Sequence, residues 1–168
     1  MAIPRPRRGI WRALARAPIW LYRLGLGGLL GRRFLLLEHR GRKSGRVYRT
    51  VIEVIKHDET TGAYYVVSGF GKRSDWFKNI QVHPDVTIQV GRRRIPVHAR
   101  ILLPEEGAQV LMEFASRHPL EVAIIARLLG LAAPQSKASY LSFVQAYPVV
   151  MFLPRSSHPE SHTEKNVP

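Results

Sequence analysis

The chain has 168 residues, a hydrophobic share of 45% and no cysteine. This length and composition are typical of one globular domain with a real core, and the lack of cysteine excludes disulfides, thiolate metal sites and cysteine nucleophiles. A formal charge of +14 and a pI near 11 indicate an anionic partner: a nucleic acid, an acidic membrane surface or a polyanionic small molecule.

Residues 1–33 form a basic arm with eight arginines and no acidic residue. Arg12, Arg16 and Arg23 share one helical face, with leucines mostly away from them. The apolar run at 17–30 contains Arg23 and is too short for a transmembrane helix, and no cleavage site marks it as a signal peptide. Two interpretations stay open: an amphipathic segment that lies in an anionic membrane interface, or a helix that packs on the domain or a neighbouring subunit.

Residues 34–103 predict a series of short strands, mostly connected by hairpins. The strands are expected at 34–39, 46–56, 64–67, 86–90 and 95–101. Ser74 is expected to cap a short helix that runs through Gln81. Pro96 predicts that its strand lies at an edge or contains a bulge. This pattern favours a closed or partly open antiparallel barrel over a layered parallel sheet.

The carboxy-terminal part predicts helices and one returning strand. Helices are expected at 104–117, 120–129 (ended by Gly130) and 139–146, and a last buried strand at 149–153. The polar segment from residue 154 onward is expected to be disordered. The chain is therefore divided into the arm 1–33, a domain at 34–153 with a helical insertion at about 104–146, and a tail at 154–168.

A basic turn at 40–46, Arg-Gly-Arg-Lys-Ser-Gly-Arg, places four cations in seven residues between two apolar runs. Such a turn exposes backbone N–H groups and concentrates positive charge, which suits phosphate or several carboxylates. Taken alone, it fits an anion site and a solvated hairpin equally well.

A second glycine loop contains Lys72 and Arg73 and leads into the helix start at Ser74. Together with the basic turn, this loop could surround a long anionic ligand. Trp76 could stack on a planar ring, or be a core tryptophan, and Asn79 could offer an amide to a ligand or cap a surface. The histidines are scattered and no catalytic triad or Walker motif is present, so no metal site is expected.

These residues resemble the deazaflavin (coenzyme F420)-dependent nitroreductase and quinone reductase family. The resemblance is carried by 41–45, Arg49-Thr50, 65–71, 75–79 and 84–92. It implies an α+β fold with a split antiparallel β-barrel, similar to pyridoxamine-phosphate-oxidase-like and FMN-binding proteins, with flanking helices. The sequence departs from the family pattern at Val51, where a proline is common, and at Phe70, which separates two glycines.

The resemblance implies that coenzyme F420, a two-electron hydride carrier, is the cofactor. It implies nine binding residues from the two loops and their flanks: Arg42, Lys43, Ser44, Arg49, Ser68, Gly69, Gly71, Trp76 and Asn79. The basic turn and Arg49 would bind the phosphate and glutamate tail, the serine and glycines of the second loop would line the ring or its linker, and the last two would complete the pocket. No catalytic residue is assigned; solvent or the hydroxyls of Tyr140 and Tyr147 are candidate proton donors.

The tyrosines that line the acceptor site of nitroimidazole-reducing members have no clear counterpart here. The resemblance therefore favours a quinone or another lipophilic acceptor over a nitro compound. It also suggests a homodimer and a cytoplasmic protein, and the basic arm suggests peripheral contact with the inner face of the plasma membrane. Two alternatives remain: FMN bound in the same barrel, and a non-enzymatic membrane-surface or nucleic-acid binder. Aromatic residues are sparse on the basic elements, which argues against single-stranded nucleic acid.

Overall fold

The computed structural model describes residues 33–128 and 132–155. The expectations for the arm before residue 33, for Gly130 and for the tail after residue 155 lie outside the described residues. The described elements are β1 (Phe34–Arg40), β2 (Val47–His57), β3 (Tyr64–Val67), a 3-10 turn (Gly71–Arg73), α1 (Asp75–Val82), β4 (Asp85–Val90), β5 (Arg93–Ile101), α2 (Pro104–Arg117), α3 (Pro119–Leu128), α4 (Lys137–Ala146) and β6 (Val149–Pro154).

The strands form a closed antiparallel barrel in the order β1-β2-β3-β6-β5-β4, with β4 pairing back onto β1. Alternate residues of the strands point inward, as their alternating sequences predict. They include Leu35, Val66, Ile88, Val97 and Phe152, which are fully buried. The α+β fold with an antiparallel barrel and flanking helices, expected from the resemblance, is thereby confirmed.

The prediction for Pro96 is wrong, because β5 lies between β4 and β6 and its register with β4 is regular. The proline carbonyl accepts a hydrogen bond of 3.0 Å from the Arg155 backbone N–H. The missing N–H of Pro96 thus faces the side where β6 ends, since pairing of the two strands begins one residue later, at Val97 and Pro154. The barrel tolerates the proline at that point because only one terminal ladder bond is lost.

The helix α1 closes one end of the barrel by adding Phe77 and Ile80 to its core. Ser74 precedes this helix as predicted, but its hydroxyl makes no capping bond. The hydroxyl is instead 3.0 Å from the Ser68 hydroxyl in the buried base of the second glycine loop. The capping role predicted for Ser74 is therefore wrong, since the loop interior takes up its side chain.

A second core lies outside the barrel, where α2 and α4 pack on the outer face of β2, β3 and β6. Gly107 allows this close approach: a Cβ atom there would lie 2.7 Å from Val144 and 3.2 Å from Val149. Leu111 and Phe114 lie on the same face of α2, one and two turns further along, and are buried in this core as well. The helices α2 to α4 leave a space beside β2, and this space contains the candidate site.

Candidate functional site

A cavity of about 1100 Å³ lies between the outer face of β2, the basic turn, the start of α1 and the helices α2 to α4. One end is polar and lined by His39, Arg42, Lys43, Ser44, Tyr48, Arg49, Arg73, Asp75 and Asn79. The other end is apolar and lined by Ile55, Leu111, Phe114, Val122, Ala126 and Phe143. From residue 49 to 55, β2 spans about 20 Å and joins the two ends.

Asn79 connects α1 to the basic turn and to β1. Its side chain is 3% exposed. Its Oδ1 accepts hydrogen bonds from the Arg42 backbone N–H at 3.1 Å and from Arg42 Nη1 at 3.0 Å. Its Nδ2 then donates to Nδ1 of His39 at 3.0 Å, which places the His39 proton on Nε2. One buried amide thus fixes the position of the turn.

His39 and Tyr48 line the polar end, and the sequence reasoning did not select either of them. They are paired residues of the hairpin whose tip is the basic turn, and their rings stack with centroids 6.0 Å apart. Burial lowers the pKa of His39, against a smaller opposing effect of the Asp75 charge. The Tyr48 hydroxyl is 3.1 Å from the Ser44 hydroxyl. The hairpin register alone could have identified both residues as flanks of the turn.

The cations at the polar end differ in whether they already form ion pairs with carboxylates of the protein. Arg42 approaches Asp75 Oδ1 at 3.4 Å. Arg49 is held by Glu38 at 2.8 Å, and Glu38 also pairs with Arg94. Exposed Lys43 has no ion pair among the residues that the structure describes. Arg40 and Arg46 are exposed as well but do not line the cavity, so Lys43 is the cation of the basic turn that is best placed for an anionic ligand there.

Most residues predicted from the sequence line the cavity: Arg42, Lys43, Ser44, Arg49, Gly69, Trp76, Asn79 and Tyr147. Three others do not. Ser68 is fully buried, and its hydroxyl donates to the Gly71 carbonyl at 2.8 Å. Gly71 has φ +63°, and a Cβ atom there would lie 2.5 Å from the Ala146 carbonyl oxygen. Tyr140 is buried in the second core. These three residues support the cavity walls instead of facing the cavity.

A carboxylate that sequence reasoning missed, Glu53, also lines the cavity on β2. Its Oε1 accepts from Arg33 Nε at 3.1 Å, and the same guanidinium hydrogen-bonds Glu121 of α3. Burial raises the pKa of Glu53; the nearby Glu121 carboxylate raises it further, and Arg33 opposes both effects. The available signal was a charged residue in the middle of the apolar run 51–55.

Comparison with known protein families identifies the family of the chain that contains this cavity. The model of the F420H(2)-dependent quinone reductase family matches residues 16–120. The chain belongs to this family. It is 34% identical over 90 residues to Rv3178 of Mycobacterium tuberculosis, whose name assigns it to the same reductases. That match covers 52% of this chain and 74% of Rv3178.

Solved structures show the same fold at lower identity. An F420-H2 dependent reductase (FDR-A) is 21% identical, has a TM-score of 0.50, and is matched over 73% of this chain and 95% of its own. A second structure, described as a domain-swapped dimer, is 20% identical, also has a TM-score of 0.50, and is matched over 81% of this chain and 99% of its own. At these identities the likeness concerns the fold alone.

Membership of the F420H(2)-dependent quinone reductases makes coenzyme F420 the cofactor of this protein, and the cavity fits it. The phosphate and glutamate tail need cations, and the polar end supplies Lys43, Arg42 and Arg73. The flat ring needs a planar, largely apolar wall, which half-buried Trp76 and Val51 offer. The charge and shape of the donor set therefore agree with the cofactor of the family.

Two further properties concern the described residues only. Between residues 33 and 128 and between 132 and 155, no group of three or more histidines and carboxylates could hold a metal ion. Within the same ranges, no helix has the length and apolar character needed to cross a membrane.

Proposed function

We propose that this F420-dependent oxidoreductase reduces a lipophilic acceptor, of which a quinone is the best fit, inside the cavity beside β2. The observation that carries the proposal is the division of one cavity into a cationic end and an apolar end. An anionic cofactor tail and an apolar acceptor require these two surroundings. A nitro compound is a second acceptor class, to be tested beside the quinone.

The cationic end would hold the cofactor by its tail. Lys43 and Arg42 would bind the phosphate and glutamate carboxylates, with Ser44 as a hydroxyl donor and Arg49 as a more distant charge. Asn79 would act by holding the turn in place. Gly69 would let the backbone approach the ring or its linker closely, and Ser68 and Gly71 would maintain the shape of that loop.

The apolar end would hold the acceptor and exclude water from the reaction. The bound reduced deazaflavin supplies a hydride, so the main task of the protein is to orient the ring against the acceptor. Phe114, Val122 and Phe143 offer apolar surface for that acceptor. Tyr147 also lines the cavity, where its ring packs on Phe143 with centroids 4.7 Å apart, and its hydroxyl would be a second candidate proton donor.

A binding titration with F420, followed by fluorescence polarisation, tests the cofactor site. Lys43→Ala is expected to weaken binding about 10- to 100-fold, because one charge-assisted contact of about 1.5–3 kcal/mol is lost. Lys137→Ala is the matched control, since it removes the same charge from an exposed position that does not line the cavity. Arg49→Ala should cost less than Lys43→Ala, because Glu38 already pairs with this arginine.

Equal affinities of Lys43→Ala and Lys137→Ala would contradict the proposed tail site.

The acceptor class is tested by the rate at which reduced F420 is oxidised with a short-chain quinone and with a nitroaromatic compound. We expect the quinone to react faster because the acceptor end of the cavity is apolar. A preference for the nitro compound would reassign the acceptor.

Membrane contact by the arm and a homodimer complete the proposed function. The eight arginines of the arm support contact with an anionic membrane surface. A domain-swapped dimer among the structures of similar fold supports a homodimer. Flotation of the full chain with anionic and with neutral vesicles, and sedimentation of the free protein, measure the two properties separately.

A further inference from the structure

Glu53 has no role in binding the cofactor tail, yet its carboxylate lies in the wall of the cavity. The side chain is 29% exposed and sits on β2 between Val51 and Ile55, which both line the same cavity. The cationic turn and the apolar helices lie to either side of it along this strand. Glu53 is therefore at the junction where the cofactor ring and the acceptor would meet.

Two charged side chains, Arg33 and Glu121, act directly on this carboxylate. Arg33, just before β1, contacts Glu53 at 3.1 Å and bridges it to Glu121 on α3. His118, between α2 and α3, has its Nδ1 3.8 Å from Glu121 Oε2. From α2 itself, Glu113 is engaged by Lys56 at 2.7 Å. One guanidinium thus serves two carboxylates, so a proton shared by the pair relieves their mutual repulsion.

Binding of an apolar acceptor would strengthen the tendency of Glu53 and Glu121 to hold a proton. Water that now reaches the partly exposed Glu53 would be displaced, and removal of water disfavours the charged carboxylate. Burial and the Glu121 charge already raise the pKa of Glu53. Binding of the acceptor is thus expected to bring a proton to the place where the acceptor needs one.

We propose that Glu53 is the catalytic acid that protonates the acceptor as it is reduced, with Glu121 and Arg33 as positioning residues. The proposal rests on the proposed function, because it needs an acceptor in the apolar end of the cavity. It differs from the tyrosine candidates suggested by the sequence, of which one, Tyr140, is buried away from the cavity.

The quinone gains two electrons and one hydrogen nucleus as a hydride, and an O–H bond forms at its other developing charge as the Glu53 O–H bond breaks. Glu53 then regains a proton from water, and the oxidised cofactor releases one proton to water. The net change is a transfer of two electrons and two protons from reduced cofactor to quinone, which becomes a hydroquinone.

Glu53→Gln tests the proposal, with Glu113→Gln as the matched control in a partly buried ion pair outside the cavity. Glu53→Gln is expected to keep F420 affinity and to lower kcat at least about 100-fold, as removal of a general acid does. Glu53→Asp should recover part of this loss. In the wild type, kcat should fall as the pH rises through the pKa of Glu53; this fall should be absent in Glu53→Gln.

A second readout needs no cofactor. In protein with 13C-labelled glutamate carboxyl groups, the resonance that Glu53→Gln removes should titrate above the ordinary range of glutamate. Glu121→Gln removes the neighbouring charge, so it should lower that pKa and move the fall of kcat to lower pH. A role limited to folding predicts the same change of the Glu53 pKa but no movement of the fall of kcat.

The outcomes separate the two proposals. If the wild type does not bind F420, the proposed cofactor site is contradicted and, with it, the role of Glu53. Normal binding with an unchanged kcat and pH profile in Glu53→Gln would overturn the role of Glu53 alone. A large loss of kcat in Tyr147→Phe together with a wild-type rate in Glu53→Gln would transfer the proton donation to Tyr147.

Discussion

Replacing Asn79 by alanine removes the side chain that ties α1 to the basic turn. The native amide accepts from the Arg42 backbone N–H at 3.1 Å and donates to His39 Nδ1 at 3.0 Å. In Asn79→Ala both of these groups lose their partner. The Arg42 guanidinium also loses its hydrogen bond to Asn79, but it keeps its contact with Asp75, so this loss adds little to the cost.

The expected loss of stability follows from the two orphaned groups. Leaving a buried donor or acceptor unpaired costs about 1–3 kcal/mol, and the His39 side chain is only 6% exposed. The backbone N–H of Arg42 is only partly buried, so its cost lies in the lower part of that range. The free energy of unfolding should therefore fall by about 2–4 kcal/mol in Asn79→Ala.

Urea unfolding followed by circular dichroism measures this difference. Gln81→Ala is the control, since it shortens an exposed amide on the same helix and should stay within about 0.5 kcal/mol of the wild type. Nuclear magnetic resonance of His39 adds a second reading: in Asn79→Asp a carboxylate replaces the amide donor, so the pKa of His39 should rise. A loss of less than about 0.5 kcal/mol in Asn79→Ala would refute the role given to this residue.

Two further predictions concern the fold around the cavity. Gly71→Ala should lower the free energy of unfolding by at least about 1–2 kcal/mol, because φ is +63° and the new Cβ would lie 2.5 Å from the Ala146 carbonyl oxygen; Gly69→Ala, with open space, is the comparison for urea unfolding. Burial lowers the pKa of His39, so the unfolded chain binds its proton more readily than the folded protein does. Stability should accordingly be complete above about pH 6.5 and decrease as the pH falls below it, and this decrease should be reduced in His39→Gln; an equal slope in both proteins would contradict the assignment.

Much of the fold could be predicted because local patterns and global structure agree. The alternation in β3 and β5 and the proline-led start of α2 are signals that a few residues carry, so the predicted bounds differ from the observed ones by little or nothing. Pro96 was misread because the rule about prolines assumes a strand paired along its full length. Here the neighbouring strand β6 ends beside the proline.

The candidate site could be predicted only in part, because its walls come from distant parts of the chain. The cationic turn is contiguous in sequence and was found. The position of Gly71 depends on the Ala146 carbonyl, and the surroundings of Glu53 depend on a guanidinium that also reaches Glu121, 88 residues away from it. No local pattern reveals which face of β2 the helices leave open, so Ser68 and Gly71 were expected to face a cavity that they support from behind.

In the proposed function, the cationic end of the cavity binds the tail of F420. The most direct measurement compares, by fluorescence polarisation, the affinity of the protein for F420 with that for a deazaflavin that lacks the phosphate and glutamate tail. The truncated compound is expected to bind at least about 100-fold more weakly, because two or more charge-assisted contacts are lost. Lys43→Ala should leave this weaker affinity unchanged. Equal affinity of the two compounds would contradict the claim.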